Sequence, residues 1–191
     1  MDNVGGDADD GDVLDPWEGR PRGQAPLLDV LDERDDRYEV IDDSVVVTPP
    51  ARLAHERLGP WLMAQLLAAV PLGHEVLGPN FAVRYAPDMP RSFLLPDVLV
   101  ARSQDCEDDG IRVAPLLVVE ILSRGTRRRD RGEKQDIYAE PGVLSYWLVD
   151  PDLRVGEVLE LRDGSYGVVS SGPVIEVATP FSVRIDLTEQ T

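Results

Sequence analysis

Two short apolar runs constrain this chain more than any other feature. PDVLVA at residues 96–101 and PLLVVEIL at residues 115–122 have the composition of covered strands, yet each carries one carboxylate, Asp97 and Glu120. A carboxylate inside such a run is costly unless it pairs with a cation, accepts hydrogen bonds or binds a metal. Cations follow the second run at once: Arg124, Arg127, Arg128, Arg129 and Arg131, then Lys134, the only lysine among 19 basic residues. The chemistry of the chain is therefore expected between residues 95 and 138.

The flanking pattern places these runs in a fold. YEVI, a turn at residues 42–44 and VVVT read as a hairpin closed by Pro49 and Pro50. Residues 52–70 carry Leu53, Leu58, Trp61, Leu62, Gln65, Leu66 and Ala69 at helical spacing, the longest helix, in which Pro60 is expected to make a kink or start a new segment. HEVLG and NFAVRYAP read as short strands, and SQDCEDDG as an exposed acidic loop between the two acid-bearing strands. A helix over about residues 130–140, stopped by Pro141 and Gly142, leads to the strand SYWLVD; strand, helix, strand at that spacing calls for parallel neighbours. The C-terminal part is β-rich, with VGEVLEL, SYGVVS, VIEVA and FSVRIDL separated by turn residues. PLLDVLDERDD, at residues 26–36, suits a short helix.

The 191 residues accommodate an acidic, disordered leader at residues 1–24 and a single domain over 25–191. The net charge of −17 is uneven: residues 1–43 hold 15 acids and 4 arginines, the rest 21 acids and 15 bases. Neither part is basic, so a nucleic-acid partner has to be met locally rather than through a global positive field. A lone cysteine, Cys106, excludes an internal disulfide, and no apolar run reaches the roughly 18 residues of a membrane span. A soluble cytoplasmic protein is expected. There is no GxGxxG after a strand, no P-loop, no GxSxG and no Cys/His cluster for zinc, the only histidines being His55 and His74.

Two carboxylates at adjacent strand ends, with a backbone carbonyl and water, make a hard oxygen site of the kind Mg²⁺ or Mn²⁺ takes. Such a site activates water and neutralises charge on a phosphoryl group, and a lysine beside it positions the water or offsets developing charge. On a helix, Asp130, Lys134 and Tyr138 follow at intervals of four and share one face. The arginine cluster at Arg124, Arg127, Arg128 and Arg129 is the local candidate for phosphate contact. Each residue has a plainer use as well. Asp97 after a proline suits a strand cap, Glu120 a structural ion pair with an arginine, Lys134 a solvated helix position, and Tyr138 a core aromatic.

Pro96-Asp97, then Glu120-Ile121-Leu122-Ser123, then Asp130 with Lys134 and Tyr138, then Tyr146-Trp147-Leu148-Val149-Asp150, resembles the Uma2 family of putative restriction endonucleases, within the PD-(D/E)XK nuclease superfamily. The likeness extends upstream through Tyr38-Glu39-Val40-Ile41-Asp42 to His55. The resemblance implies an α/β (α+β) fold with a restriction-endonuclease-like core, a mixed central β-sheet flanked by helices. It also implies roles: Asp97 and Glu120 as catalytic metal ligands, Lys134 as the catalytic lysine, Glu39, His55 and Tyr138 as supporting residues, Mg²⁺ or Mn²⁺ as cofactor, and DNA as partner. Leu122 stands where the superfamily pattern has its lysine, so Lys134 on the next helix becomes the replacement. Pairing to cut two strands, as nucleases of this superfamily often do, makes a homodimer an expectation. Three function classes stay open: a metal-dependent DNA endonuclease; a nuclease-fold binding or assembly module with weak or no cleavage; and a metal-dependent phosphoesterase acting on RNA or a small substrate.

Overall fold

The computed structural model describes residues 37–41, 44–47, 50–84 and 92–190. The leader, the short helix expected near residues 26–36 and the tip of the first hairpin lie outside the described residues. In chain order the elements are β1 (Tyr38–Ile41), β2 (Ser44–Val47), α1 (Leu53–Ala69), β3 (His74–Leu77), β4 (Val83–Arg84), β5 (Phe93–Leu94), β6 (Val98–Arg102), β7 (Cys106–Glu107), β8 (Gly110–Ile111) and β9 (Leu117–Ile121). Then follow α2 (Arg127–Asp130), α3 (Glu133–Ala139), β10 (Ser145–Asp150), β11 (Val155–Arg162), β12 (Ser165–Gly172), β13 (Val174–Val177) and β14 (Val183–Asp186).

The two acid-bearing runs form the middle of a six-stranded sheet ordered β12-β11-β10-β9-β6-β3. β6 and β9 are antiparallel with Val98 opposite Val119, so the start of one lies beside the end of the other. β9 and β10 are parallel, with Glu120 opposite Leu148, as the intervening crossover requires. Side chains alternate across this sheet. Val98, Val100, Val119 and Ile121 face α1, whose Leu58, Leu62 and Leu66 recur every fourth residue and are fully buried. Leu99, Val118, Leu122 and Leu148 face the other way, against Ile137 and Tyr138 of α3 and against Ile41, Val83, Leu94 and Ile111 of a second six-stranded sheet, β2-β1-β5-β4-β8-β7. Each fully buried leucine or valine contributes about 1.5–3 kcal/mol. The core sheet is thus mixed, with one long helix on one face and short helices plus a second sheet on the other.

Two expectations need correction. Pro60 neither divides nor ends α1, which runs from Leu53 to Ala69 as one helix. Pro60 is exposed, so the carbonyl left without its N–H partner can turn to water. The helix expected over residues 130–140 is split: Asp130 closes α2, the chain turns at Arg131 and Gly132, and α3 begins at Glu133. Gly132 takes φ −134° and ψ −103°, outside the helical region, and this breaks the run. The acidic loop SQDCEDDG, for its part, is ordered into a 3-10 turn and the β7–β8 ladder.

β8 joins the second sheet only because Gly110 allows close approach. It has φ +140°, and a Cβ there would lie 2.5 Å from the Ala82 carbonyl oxygen, the atom that accepts the Ile111 N–H at 2.8 Å. Gly110→Ala is expected to lower stability by about 2–4 kcal/mol, read as a fall in the midpoint of urea unfolding at unchanged m-value. An unchanged midpoint would show that the β4–β8 contact is dispensable.

Candidate active site

The site forms where the β6 start, the β9 end, β1 and the α2–α3 turn converge. Alternation along β1 puts Arg37 and Glu39 on one side, and they grip the same residue of the chain leading to β6. Arg37 Nη2 donates to the Leu95 carbonyl at 2.7 Å, while Glu39 Oε1 accepts the Leu95 N–H at 3.0 Å. Two residues on, Asp97 Oδ2 accepts the Ile121 N–H at 2.7 Å and lies 3.1 Å from His55 Nε2 at the start of α1. Among the described residues, Asp97 Oδ1 has only a long contact from Arg37, 3.4 Å.

Glu120 points from β9 toward α3. Its Oε1 accepts from Lys134 Nζ at 2.9 Å and from the Tyr138 hydroxyl at 3.2 Å. Lys134 Nζ also donates to Glu39 Oε1 at 2.9 Å and stands 3.6 Å from Asp130 Oδ1. Lys134 is only 3% exposed. A ring stack holds α3 in place: Tyr138, Tyr146 and Tyr166 lie with successive centroids 5.4 and 5.6 Å apart, and the Tyr146 hydroxyl donates to the Asp130 carbonyl at 2.9 Å.

Glu39, His55, Asp97, Glu120, Lys134 and Tyr138 are therefore all brought into one connected network, although they span a hundred residues of sequence. The arginine run is not gathered in the same way. Arg124 lines the cleft, but Arg127 pairs with Asp150 at 2.6 Å, Arg129 lies 3.9 Å from Glu133, and Arg128 is exposed outside the cleft lining. Sequence reasoning missed Arg37 as a partner of Asp97; the available signal was its position two residues before Glu39 on the same strand. Asp130 was placed on the lysine's face, and its buried carboxylate beside Nζ is the further finding.

The electrostatics follow from burial and charge. Burial pushes the Glu120 carboxyl well above the ordinary range; the Lys134 charge acts against this, while Asp130, Asp97 and Glu39 add to it. Burial raises Asp130 too, again opposed by Lys134. Burial opposes the Lys134 ammonium, but Glu120, Glu39 and Asp130 together outweigh it and hold the amine protonated. Asp97 goes the other way. Burial would raise it, yet the hydrogen bond and charge of His55, the Ile121 N–H and Arg37 keep it below the usual carboxylate value.

A cleft of about 230 Å³ opens onto these groups, lined by Arg37, His55, Asp97, Glu120, Arg124 and Lys134 among others. The donor set fits a hard divalent cation. Among the described residues, Asp97 Oδ1 carries only the long Arg37 contact, and the second oxygen of Glu120 takes no hydrogen bond. The Ile121 carbonyl leaves β9 on the same side as its N–H, which Asp97 takes just before the β6–β9 ladder begins at Val98. Among the described residues no cluster of three or more acids and histidines is arranged as a cage. Mg²⁺ needs none, since it keeps several waters and binds through one or two carboxylates plus substrate phosphate. Charge points the same way: four buried carboxylates, Glu39, Asp97, Glu120 and Asp130, face two permanent cations, Lys134 and Arg37.

The Uma2 family model, described as "Putative restriction endonuclease", matches residues 24–188. No curated protein matches the chain. Among solved structures, the crystal structure of a putative nuclease belonging to DUF820 from Anabaena variabilis aligns with a TM-score of 0.65, covering 82% of this chain and 90% of that one at 17% identity. A likeness at that identity shows the fold, a nuclease-like mixed sheet with its helices.

Two outcomes are expected. His55 has its pKa raised above the ordinary 6.5, because Asp97 outweighs the opposing effect of burial. The stabilisation it brings is complete below the unfolded value and fades as pH rises through the folded one. Asp97, lowered, stabilises above its ordinary 3.8 and loses that as pH falls. An NMR titration should therefore show His55 titrating above 6.5 in the wild type and lower in Asp97→Asn; equal values would remove the contact. Asp130, with its pKa raised, destabilises the fold as pH rises from its ordinary value through its folded one. Asp130→Asn removes that pH-dependent contribution, so its stability is expected to fall less steeply than the wild type's as pH rises through this interval, read by urea unfolding at several pH values. An identical pH dependence in the two proteins would contradict this.

Proposed function

Because the chain belongs to the Uma2 family of putative restriction endonucleases, we propose that it is a Mg²⁺- or Mn²⁺-dependent endonuclease hydrolysing DNA phosphodiester bonds. The observation that carries the reading is the chain's only lysine, buried and bonded to Glu120 and Glu39 one strand away from Asp97. A buried ion network of this cost is a poor device for stability alone, since apolar residues of like volume do as well or better. Desolvated, strongly interacting charges of this kind concentrate at functional sites.

Asp97, Glu120 and the Ile121 carbonyl would hold the cation. When bound, it supplies Lewis acidity and a water of lowered pKa. The protein's own groups do the rest. Lys134, kept protonated by its three carboxylates, presents a fixed positive charge where a phosphoryl oxygen gains negative charge. Glu39 and Tyr138 fix the direction of that ammonium and of Glu120. His55 and Arg37 hold Asp97 ionised and oriented. Arg37 and Arg124, on the cleft wall, meet the flanking phosphates.

One observation favours a second reading. The rest of the chain is acidic and most of the arginine run is engaged elsewhere, so a short single strand or a small phosphodiester would meet less repulsion than a long duplex. Cleavage of supercoiled and linear DNA, RNA and a small phosphodiester with Mg²⁺ or Mn²⁺ distinguishes the two. Glu120→Ala and Lys134→Ala are each expected to lose at least about a hundredfold in rate, with circular dichroism reporting that the fold is kept. Equal cutting by wild type and folded variants would displace the site. Absence of cutting on every substrate would leave the binding-module reading.

A further inference from the structure

One buried acid is left with its hydrogen bonds unmade. Asp130, the last residue of α2, is 1% exposed, and among the described residues neither of its carboxylate oxygens has a hydrogen-bond partner. The Thr126 hydroxyl lowers its pKa from nearby, but that hydroxyl is engaged with Ser123 Oγ at 3.0 Å. The other buried acids of the site are met: Glu39 by the Leu95 N–H and Lys134, Asp97 by the Ile121 N–H, and Glu120 by Lys134 and Tyr138. A buried carboxylate without a partner bears its full desolvation cost, and a native structure that keeps one calls for a use. The nearest cation is Lys134, whose ammonium has three N–H donors. Two go to Glu39 and Glu120 at 2.9 Å each, while Nζ stands 3.6 Å from Asp130 Oδ1, too far for a hydrogen bond. The difference, about 0.7 Å, is within the play of a flexible four-carbon stem. Glu39, Glu120 and Lys134 line the cleft and Asp130 does not, so this acid lies on the inner side of the amine.

We propose that Asp130 is a positioning residue that takes up the Lys134 ammonium when Glu120 takes a cation. The inference rests on the cation-dependent reading above. Glu120, once it shares its charge with a cation, holds Nζ less tightly, and the ammonium is turned inward by like charge at short range. Nζ then pivots about Glu39, whose Oε1 is itself fixed by the Leu95 N–H, and completes its third hydrogen bond on Asp130. Only hydrogen bonds change, and no proton moves. Lys134 keeps its charge and its place on the cleft wall, displaced by less than about 1 Å. Glu120 can thus ligate without leaving a buried ammonium short of a partner, the loss that a buried ion pair tolerates least.

The full chain, isotope-labelled at its only lysine, is titrated with Mg²⁺, with calorimetry following binding and NMR following the Nζ signal. The signals of wild type and Asp130→Asn are expected to differ little before Mg²⁺ is added and clearly at saturation, with Mg²⁺ affinity lower by at least about tenfold in the variant. An acid acting only through the fold would separate the two signals equally in both states. Glu133→Gln, which removes an exposed acid next in sequence to the lysine, is a control expected to change neither reading. A crystal structure of the wild type with Mg²⁺ reads the same claim without a variant, and Nζ is expected within about 3 Å of Asp130 Oδ1. Three results overturn the hand-over while the cation site stands: an Nζ signal that bound Mg²⁺ leaves unmoved, a difference between wild type and Asp130→Asn that Mg²⁺ does not enlarge, or a separation still at 3.6 Å with Mg²⁺ on Glu120. Absence of Mg²⁺ binding, or binding that Glu120→Gln does not weaken, overturns the reading beneath it and the hand-over together.

Discussion

One buried amine sets the terms for the rest of the structure. Lys134 Nζ lies within 2.9 Å of both Glu39 and Glu120 and 3.6 Å from Asp130. Moving an ammonium and carboxylates out of water costs several kcal/mol per ion, and the cost is offset only when all partners are in place. That requirement ties together β1, β9 and the α2–α3 turn. The hairpin must dock so that Glu39 arrives, and α2 and α3, though separated at Gly132, must still turn Asp130 and Lys134 to the same side. The tyrosine stack behind α3 leaves the lysine little room to swing away.

A second constraint runs through Asp97. Its carboxylate takes the place of a strand partner for the Ile121 N–H, just before the β6–β9 ladder begins at Val98. Asp97 is thereby tied to β9 next to Glu120, and His55 and Arg37 keep it charged while Lys134 stays with Glu120. The two carboxylates have opposite pKa directions for this reason: Asp97 has His55, the Ile121 N–H and the Arg37 charge beside it, whereas Glu120 shares one cation with two other acids. A site short of positive charge and open to a cleft is suited to taking up a cation.

Much of this was legible in the sequence, for identifiable reasons. The alternation in PDVLVA and PLLVVEIL gave the central strands, and a carboxylate in each demanded a partner. The single lysine stood out against a chain of arginines. The burial of Glu39 was not legible, because whether a hairpin face is covered depends on what docks there; α3 and the chain leading to β6 lie against it. Long-range order stayed hidden for the same reason: nothing local tells β1 to pair with β5 or β8 to lie beside β4. Of the two outcomes expected of Pro60, a new segment is excluded by the continuous helix, because the exposed face that lets α1 run through it is set by the tertiary fold. What the arginine run meets was not legible either, since Asp150 and Glu157, distant in sequence, take up Arg127 and Arg131.

Lys134, a buried ammonium that would share Glu120 with the proposed cation site, is also the most direct probe of that site. Because Lys134 is the only lysine, isotope labelling of lysine gives a single side-chain NMR signal. It should be slowly exchanging, shifted from the free amino acid and protonated beyond the ordinary lysine range, and paramagnetic Mn²⁺ should broaden it in the wild type but not in folded Glu120→Gln. A sharp signal at the free-lysine position, or one that Mn²⁺ leaves untouched while binding elsewhere, would contradict the account.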